Sequence, residues 1–258
     1  MTPVVPPVLS IRELSVAAAR RRILENVSFD LYEGEILSIV GPSGSGKSTL
    51  LRAINRLADL ENGLRVAGTV RYRGKDIRSA FPVHQLRARI GMVFQKPCMF
   101  PGSILHNVLF GARHHRRFGR GEAIHLAEAM LRKSSLWNEV KDRLEHPAVE
   151  LSLGQKQRLS LARILAVDPD VLLLDEPTSS LDSRSTEQIE CTLMELRRTT
   201  PMLLVTHLLP QAQRLSHRML RLSALDGVGR VAGEGSAETI LAGLRVRAIE
   251  ELPVQDLA

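Results

Sequence analysis

One short stretch, residues 41–49, constrains the fold of this chain more than any other. It reads Gly-Pro-Ser-Gly-Ser-Gly-Lys-Ser-Thr and lies between an apolar run, residues 36–40, and residues 50–57, whose apolar side chains recur at helical spacing. Three glycines within nine residues predict a tight loop, because glycine adopts backbone conformations closed to other residues. The predicted order is therefore strand, glycine-rich loop and helix.

The loop fits the pattern G-x-x-x-x-G-K-[ST] of a phosphate-binding P-loop. Backbone N–H groups gathered by the glycines and the positive end of the following helix favour the β- and γ-phosphates of a nucleoside triphosphate. We expect Lys47 to add a positive charge, Ser48 to bind Mg²⁺ and Thr49 to reach the α-phosphate side. The predicted nucleotide-binding residues of the loop are Gly41, Pro42, Ser43, Gly44, Ser45, Gly46, Lys47, Ser48 and Thr49.

The composition limits the class of protein. The chain has 258 residues, 44% hydrophobic and 3% aromatic, which suits one large α/β domain with an aliphatic core. A net charge of +7 suits an anionic partner, but the arginine clusters carry no nucleic-acid-binding signature, so we expect no nucleic acid. Two cysteines make no disulfide framework, the start does not resemble a signal peptide, and no apolar run could span a bilayer. We expect a cytoplasmic protein that reaches a membrane only through partners.

Apolar runs that end in polar groups recur along the chain. The runs are residues 36–40 before the P-loop, 90–94 before Gln95, 171–174 before Asp175 and Glu176, and 202–206 before His207. Such runs are typical of parallel strands covered on both faces, and ligands bind at the carboxyl edge of an open parallel sheet. We therefore expect the P-loop and these side chains to converge on one site.

Three further regions have different patterns. Residues 8–31 alternate apolar and polar residues, which predicts antiparallel strands. Residues 96–150 show helical spacing, which predicts an inserted helical subdomain, while Asp226-Gly227 predicts a hairpin turn and Ser236 the cap of a last helix running through Leu241. The predicted division of the single domain is an α/β core of residues 8–95 and 160–241, a helical subdomain of residues 96–159 and a tail of residues 242–258.

A second group of motifs indicates the family. Residues 151–163 read Leu-Ser-Leu-Gly-Gln-Lys-Gln-Arg-Leu-Ser-Leu-Ala-Arg, and residues 175–182 read Asp-Glu-Pro-Thr-Ser-Ser-Leu-Asp. With the P-loop upstream, the chain resembles the nucleotide-binding subunit of ATP-binding cassette (ABC) transporters from about Leu9 to Leu241. The resemblance implies an ATPase that uses ATP and Mg²⁺. It also implies a RecA-like P-loop NTPase core with a mostly parallel sheet, an N-terminal antiparallel part and an inserted helical subdomain.

The resemblance implies roles for the residues at the strand ends. Asp175 would hold Mg²⁺, mostly through water, together with Ser48 and Gln95. Glu176 would polarise the attacking water, and His207, the switch histidine, would contact the γ-phosphate and orient that water. The implied catalytic residues are Glu176, His207 and Gln95.

The family also works as a head-to-tail dimer with two ATP molecules between the copies. Ser152, Gly154 and Gln155 correspond to its signature motif, which would close over the γ-phosphate held by the second copy's P-loop. Asp182 corresponds to the D-loop at the dimer interface. A single copy is therefore expected to hydrolyse ATP poorly.

The sequence departs from the family pattern at two places. Leu153 replaces the first glycine of the signature motif, where a side chain would hinder close backbone approach or a positive φ. Residues 17–19 are all alanine where the family stacks an aromatic side chain on adenine. We expect the first departure to affect closure of the dimer and the second to weaken base selectivity.

Shorter motifs favour one kind of transporter. Residues 92–97, Met-Val-Phe-Gln-Lys-Pro, and residues 51–56, Leu-Arg-Ala-Ile-Asn-Arg, most resemble the ATPase of bacterial phosphate importers. The implied partners are a second copy, integral-membrane permeases and, indirectly, a solute-binding protein, with this subunit peripheral on the cytoplasmic face of the membrane. The alternatives are an importer ATPase for another solute such as polar amino acids, a soluble ABC ATPase of translation or DNA repair, and a regulatory subunit with weak turnover.

Overall fold

The computed structural model describes residues 5–19, 21–240 and 242–243. Its strands are β1 (Leu9–Ala18), β2 (Arg21–Leu31), β3 (Ile36–Val40), β4 (Leu64–Tyr72), β5 (Lys75–Asp76), β6 (Ile90–Val93), β7 (Val171–Asp175), β8 (Met202–Val205), β9 (Arg218–Leu225) and β10 (Val228–Ser236). Its α-helices are α1 (Lys47–Ile54), α2 (Val83–Arg89), α3 (Ile104–His115), α4 (Arg120–Lys133), α5 (Trp137–Val140), α6 (Leu153–Leu165), α7 (Ser183–Leu196) and α8 (Leu209–Leu215). Among the described residues, no helix combines the length and apolar character that crossing a bilayer requires.

All these strands form one sheet in the order β5-β4-β1-β2-β10-β9-β3-β8-β7-β6. From β9 to β6 neighbouring strands run parallel, whereas β1, β2, β4 and β5 pair antiparallel. The two parts meet through β10, which pairs antiparallel with β9 and bridges β2 between Gly229 and Leu24. The predicted fold class, a mostly parallel α/β core with an N-terminal antiparallel part, is confirmed.

The central parallel strands are buried on both faces, which explains their unbroken apolar runs. Every residue of β3, β6, β7 and β8 is buried. Leu173 and Leu203 pack with α1 and the first strands, while Leu172 and Leu204 pack on the other face with α3, α4, α6 and α7. The P-loop helix and the helical region therefore lie on opposite faces of the sheet.

Helix α6 joins the helical region to the core. It packs on α3 and α4 and also on β6. Its residues Leu153–Leu165 run across the predicted boundary between residues 159 and 160, so one continuous helix spans that position. The division into core and subdomain stays a prediction.

Helix α1 is shorter than the apolar spacing predicts. It ends at Ile54, although apolar residues continue to Leu57 at helical intervals. Arg56 adopts a left-handed backbone with φ of 62°, and residues Leu57–Leu60 form a separate 3-10 turn. The periodicity alone did not reveal this break.

The C-terminal hairpin turns at Asp226-Gly227, as predicted. Residues 237–240 are helical, and the Ser236 hydroxyl caps them by accepting a hydrogen bond of 3.1 Å from the Thr239 amide. The predicted continuation of this helix to Leu241 lies outside the described residues, as does the tail beyond residue 243.

Candidate active site

The glycine-rich loop connects β3 to α1. Gly44 and Gly46 have left-handed φ values of 77° and 85°, which a side chain would strain. The Lys47 ammonium group turns back over the loop and donates hydrogen bonds of 2.9 Å to the carbonyl oxygens of Gly41 and Pro42. These two bonds close the loop on itself and place the positive charge of Lys47 over it.

The back of the loop packs against the sheet. A Cβ on Gly46 would lie 2.6 Å from the Leu24 side chain of β2, and one on Gly41 would lie 2.5 Å from the carbonyl oxygen of Leu222. Ser45 is fully buried, and its hydroxyl has no hydrogen-bond partner within the part of the chain that is described. The N-terminal antiparallel part and β9 therefore support the loop from behind.

Ser48 and Asp175 lie together beside the loop. The Ser48 hydroxyl donates a hydrogen bond of 2.8 Å to Oδ1 of Asp175, whose residue is 4% exposed at the end of β7. Burial raises the pKa of Asp175 against the opposing effect of the Ser48 hydrogen bond, and burial lowers the pKa of Lys47 against the nearby carboxylates. A hydroxyl and a carboxylate are hard oxygen ligands that fit Mg²⁺, which takes one or two protein carboxylates and completes its shell with water and phosphate.

Glu176 connects three of the converging strand ends. Its Oε2 accepts a hydrogen bond of 3.0 Å from Nε2 of Gln95 and lies 3.0 Å from Nδ1 of His207. Glu176 itself has a left-handed φ of 45°, and its amide donates 2.9 Å to the carbonyl oxygen of Val205 in β8. Backbone strain of this kind at a polar residue is typical of active sites.

These residues border one cavity of about 680 Å³. It is lined by Ile23, Ser43, Gly44, Gly46, Lys47, Ser48, Thr49, Gln95, Glu176 and His207. The structure thus brings together the P-loop and the residues that follow β6, β7 and β8. The predicted residues Gly41, Pro42, Ser45 and Asp175 belong to the same loop or bond to it but are not part of the lining. Four predicted residues from other segments do not line the cavity either: Ser152, Gly154, Gln155 and Asp182.

The first three of these lie at the start of α6. The Ser152 hydroxyl accepts a hydrogen bond of 3.3 Å from the Gln155 amide, and Oε1 of Gln155 accepts one of 3.0 Å from the Ser152 amide. This capping box satisfies two donors of the helix N-terminus. The amides of Leu153 and Gly154 have no acceptor in the described part of the chain, as is usual for the first amides of a helix.

Leu153 is the first residue of α6. It is 44% exposed and does not have a positive φ. The expectation that leucine would strain a positive φ is therefore wrong, because the first turn of a helix needs no such conformation. The isobutyl group still projects from the surface beside the free amides, so its effect on close approach stays a prediction.

Gly154 and Asp182 contact the same serine of α7. A Cβ on Gly154 would lie 2.8 Å from Cβ of Ser185 and closer still to its hydroxyl. Asp182 caps α7 by accepting hydrogen bonds of 2.9 Å from the Ser185 amide and 2.7 Å from its hydroxyl, and these bonds lower the pKa of Asp182. Both residues thus have structural partners within one copy of the chain.

Three residues at the site were not predicted. Ile23 lines the cavity beside the P-loop, and the Ser179 hydroxyl accepts a hydrogen bond of 3.3 Å from Nε2 of Gln95. Gln157, buried in α6, donates 3.0 Å to the carbonyl oxygen of Phe94. Side chains alternate between the two faces of a strand, so the pattern of β2 could have placed Ile23 on the face away from the buried Leu24. The sequence contains no comparable indication for Ser179 or Gln157.

The sheet and the P-loop site define a P-loop nucleoside triphosphatase. The model of the ABC transporter family matches residues 24–179, more than half of the chain. The chain therefore belongs to the ABC transporter family and is an ATPase, as its ATP-binding domain indicates.

A curated relative and two solved structures support this assignment. The chain is 48% identical over 213 residues to phosphate import ATP-binding protein PstB 1 of Streptococcus pyogenes serotype M3, covering 82% of this chain and 84% of that protein. The structure of cbiO1 from Clostridium perfringens, part of the ABC transporter complex cbiONQ, superimposes with a TM-score of 0.76 at 26% identity, over 96% of both chains. A bacterial Atm1-family ABC exporter with ATP bound superimposes with a TM-score of 0.77 at 27% identity, over 93% of this chain and 41% of the exporter chain.

Proposed function

We propose that this protein is the ATP-hydrolysing subunit of an importer that takes up inorganic phosphate through membrane permeases. The observation that carries the proposal is the 48% identity to a phosphate import ATP-binding protein over most of both chains. The solute does not touch this subunit, so its identity rests on that likeness, whereas the ATPase chemistry rests on the site.

The P-loop binds the triphosphate. The amides around Gly44 and Gly46 surround the β- and γ-phosphates, and Lys47 exchanges its carbonyl partners on Gly41 and Pro42 for phosphate oxygens. Ser48 and Asp175, together with Gln95, would hold Mg²⁺, and the ion would supply positive charge to neutralise the phosphates. Ile23 lines the cavity beside the P-loop and offers the base an apolar contact without aromatic stacking.

Glu176 and His207 act on the attacking water. The water oxygen forms a bond to the γ-phosphorus while the bond from that phosphorus to the bridging oxygen breaks, and ADP leaves with the electron pair. Glu176 accepts the hydrogen bond of the water and receives its proton, and His207 orients the water and the γ-phosphate. Gln95, already hydrogen-bonded to Glu176, holds that carboxylate in place.

The free amides at the start of α6 belong to a composite site. In a head-to-tail dimer they and the Ser152 hydroxyl approach the γ-phosphate on the second copy, where the helix N-terminus stabilises negative charge. Asp182 lies at the same interface. The dimer therefore forms on ATP and separates after hydrolysis.

A groove beside Gln95 receives the permease. It has a volume of about 290 Å³ and is lined mostly by apolar side chains between β6, α3 and α6, among them Phe94, Pro97, Phe100, Phe110 and Ile164. A cytoplasmic helix of a permease would bind such a groove by placing its apolar side chains in it. The Gln157 bond to Phe94 connects the groove to α6. In this arrangement the subunit is peripheral on the cytoplasmic face of the membrane, and the solute-binding protein acts from the other side.

Transport decides between this proposal and its alternatives. The subunit, permeases and solute-binding protein from the same gene cluster would be reconstituted in vesicles with ATP on the cytoplasmic side, and uptake of radiolabelled phosphate compared with uptake of glutamine. ATP-dependent phosphate uptake that is lost with Lys47→Ala is expected. Uptake of glutamine instead identifies the amino-acid importer.

One observation favours a second candidate, a regulatory subunit with weak turnover. The exposed Leu153 stands where the composite site must close. Purified subunit that binds ATP and dimerises, but hydrolyses no faster with the permeases than alone, would identify it.

A further inference from the structure

An ion pair between a buried arginine and a partly exposed glutamate lies behind the start of α6. The Arg158 side chain is 4% exposed, and its guanidinium donates hydrogen bonds of 2.7 and 3.2 Å to the two carboxylate oxygens of Glu139 in α5. A further bond of 2.6 Å goes to the carbonyl oxygen of Ser135. A buried guanidinium requires an anionic partner of this kind, so Glu139 ties α6 to the preceding helical region.

The same carboxylate also holds Gln155. Nε2 of Gln155 donates 2.8 Å to Oε2 of Glu139, while Oε1 of Gln155 accepts the bond from the Ser152 amide. A glutamine amide has one donor end and one acceptor end, so an acceptor beside Nε2 fixes the direction of the whole group. If the amide turned over, its NH₂ group would face the Ser152 amide and the capping box would open.

Glu139 carries a full negative charge for these donors. Burial raises its pKa, but the hydrogen bonds from Arg158 and Gln155 and the charge of Arg184 outweigh burial, and the pKa lies below the usual value. One ionised carboxylate therefore serves Arg158 and Gln155 together. Through the Glu139 carboxylate, the capping box of Ser152 and Gln155 is connected to α5.

We propose that Glu139 is a positioning residue for the ATPase reaction, which orients Gln155 and thereby keeps the Ser152 hydroxyl and the free amides of α6 arranged for the γ-phosphate on the second copy. The inference rests on the proposed function, because it takes the start of α6 to act on the partner's nucleotide. Glu139 touches no reacting atom. Its loss therefore affects closure and turnover, and leaves ATP binding by the P-loop unchanged.

Glu139→Gln tests this inference, with Glu128→Gln as the matched control. The Glu128 side chain is 32% exposed against 35% for Glu139, and it also pairs with an arginine, Arg132, at 2.7 Å, away from residues 151–155. Glutamine at 139 keeps the size but offers one acceptor oxygen to the three nitrogen donors that bond to Glu139. We expect kcat to fall about tenfold with the nucleotide Kd close to that of the unchanged protein, while Tm falls below that of Glu128→Gln because the buried Arg158 loses its anionic partner.

Two further measurements make the result decisive. In a Glu176→Gln background, Glu139→Gln is expected to raise the ATP concentration needed for dimerisation. Glu139→Asp, which keeps a carboxylate for Arg158 but shortens its reach to Gln155, is expected to lower kcat to a similar extent with a smaller loss of Tm. Unchanged kcat in both variants, or a fall in kcat matched by an equal loss in nucleotide affinity, would overturn the inference.

Ser152→Asp separates this inference from the proposed function. If Ser152→Asp leaves turnover unchanged, the start of α6 does not act on the nucleotide, and the proposed composite site fails together with the inference. If Ser152→Asp abolishes turnover while Glu139→Gln and Glu139→Asp do not lower it, only the positioning role of Glu139 is lost.

Discussion

The two helix N-termini that we propose to bind phosphate are built in opposite ways. Helix α1 is preceded by Gly46, which has a left-handed backbone and gives no side-chain cap, so its first amides stay free. Helix α6 begins at Ser152 with a complete capping box, which leaves two amides free. The first terminus can surround several phosphate oxygens, whereas the second can contact only one group.

The two helix N-termini also differ in how the surrounding residues enclose them. The loop before α1 is packed on Leu24 and Leu222 and faces the residues that follow three other strands. At the start of α6, Ser152 and Leu153 are exposed, whereas Gly154 is buried beside Ser185 of α7. A tight and enclosed site suits the binding of ATP by one copy, while an open and lightly polar surface suits contact that comes and goes with a second copy.

Glu176→Gln gives the largest expected effect and acts on the P-loop cavity. Removing the carboxylate is expected to lower kcat by about 10²–10⁴-fold, because glutamine cannot take the proton of the water. The nucleotide Kd should stay unchanged, and ATP-bound dimers should accumulate on size-exclusion chromatography. Hydrolysis at the original rate would show that Glu176 is not the base.

Mixing two inactive variants tests whether the halves come from different copies. Lys47→Ala removes phosphate binding, and Ser152→Asp keeps a good N-cap while placing a negative charge before the γ-phosphate. Each alone is expected to be inactive, whereas random pairing in an equal mixture should restore about a quarter of the activity, because half of the dimers hold one intact composite site. Ser152→Asn, an uncharged N-cap, is the control. No recovery on mixing would contradict the head-to-tail arrangement.

Gly154→Ala measures how tightly the start of α6 packs against α7. The added methyl group meets Ser185, which is already held by Asp182, so we expect a loss of about 1–3 kcal/mol in the free energy of unfolding by urea. The double variant Gly154→Ala with Ser185→Gly removes the collision. A double-mutant cycle that finds the two changes additive would show that the contact is unimportant.

Leu153→Gly tests the departure from the family pattern. Glycine in the first turn of α6 should cost about 0.5–1 kcal/mol of stability, because it has greater freedom in the unfolded chain. If the isobutyl group hinders closure, kcat should rise severalfold despite that loss. Unchanged kcat would mean that the dimer accommodates the leucine.

The smallest expected effect concerns the nucleotide-free protein. There, Asp175→Asn should change how the free energy of unfolding depends on pH. Because burial raises the pKa of Asp175, the folded protein binds this proton more tightly than the unfolded chain does. The stability it contributes is present at low pH and is lost as pH rises from the ordinary aspartate range through the raised pKa. Urea titrations over that range should show a shallower decline for Asp175→Asn. Parallel curves would contradict the sign of the shift.

The sequence was most informative where one physical requirement decides the residue type. Strands buried on both faces must be apolar throughout, and a loop that gathers amides must contain glycine, so the central sheet and the P-loop cavity were predicted from residues 36–49, 171–176 and 202–207. The ABC transporter family followed from the order of the motifs and is confirmed by the comparisons.

Residues that depend on tertiary contacts were not predictable in this way. Glu139 and Arg158 are charged residues on helical segments, where a solvated surface is the usual expectation, and only the fold shows that the arginine is buried. Gly154 matches a motif, but its contact with Ser185 depends on how α6 and α7 pack. The break after Ile54 depends on a single left-handed residue, which periodicity does not register.

The left-handed backbone of Glu176 sets conformational preference against chemistry. Glycine or asparagine would adopt a φ of 45° at lower cost than glutamate does, so the fold alone would select one of them at this position. Neither side chain could take a proton from water. An effort to make this protein more heat-resistant by relieving strained residues would therefore choose position 176 early. If Glu176 is the base, the variant would be more stable but slow to turn over ATP, which is a stability–activity trade-off confined to one residue.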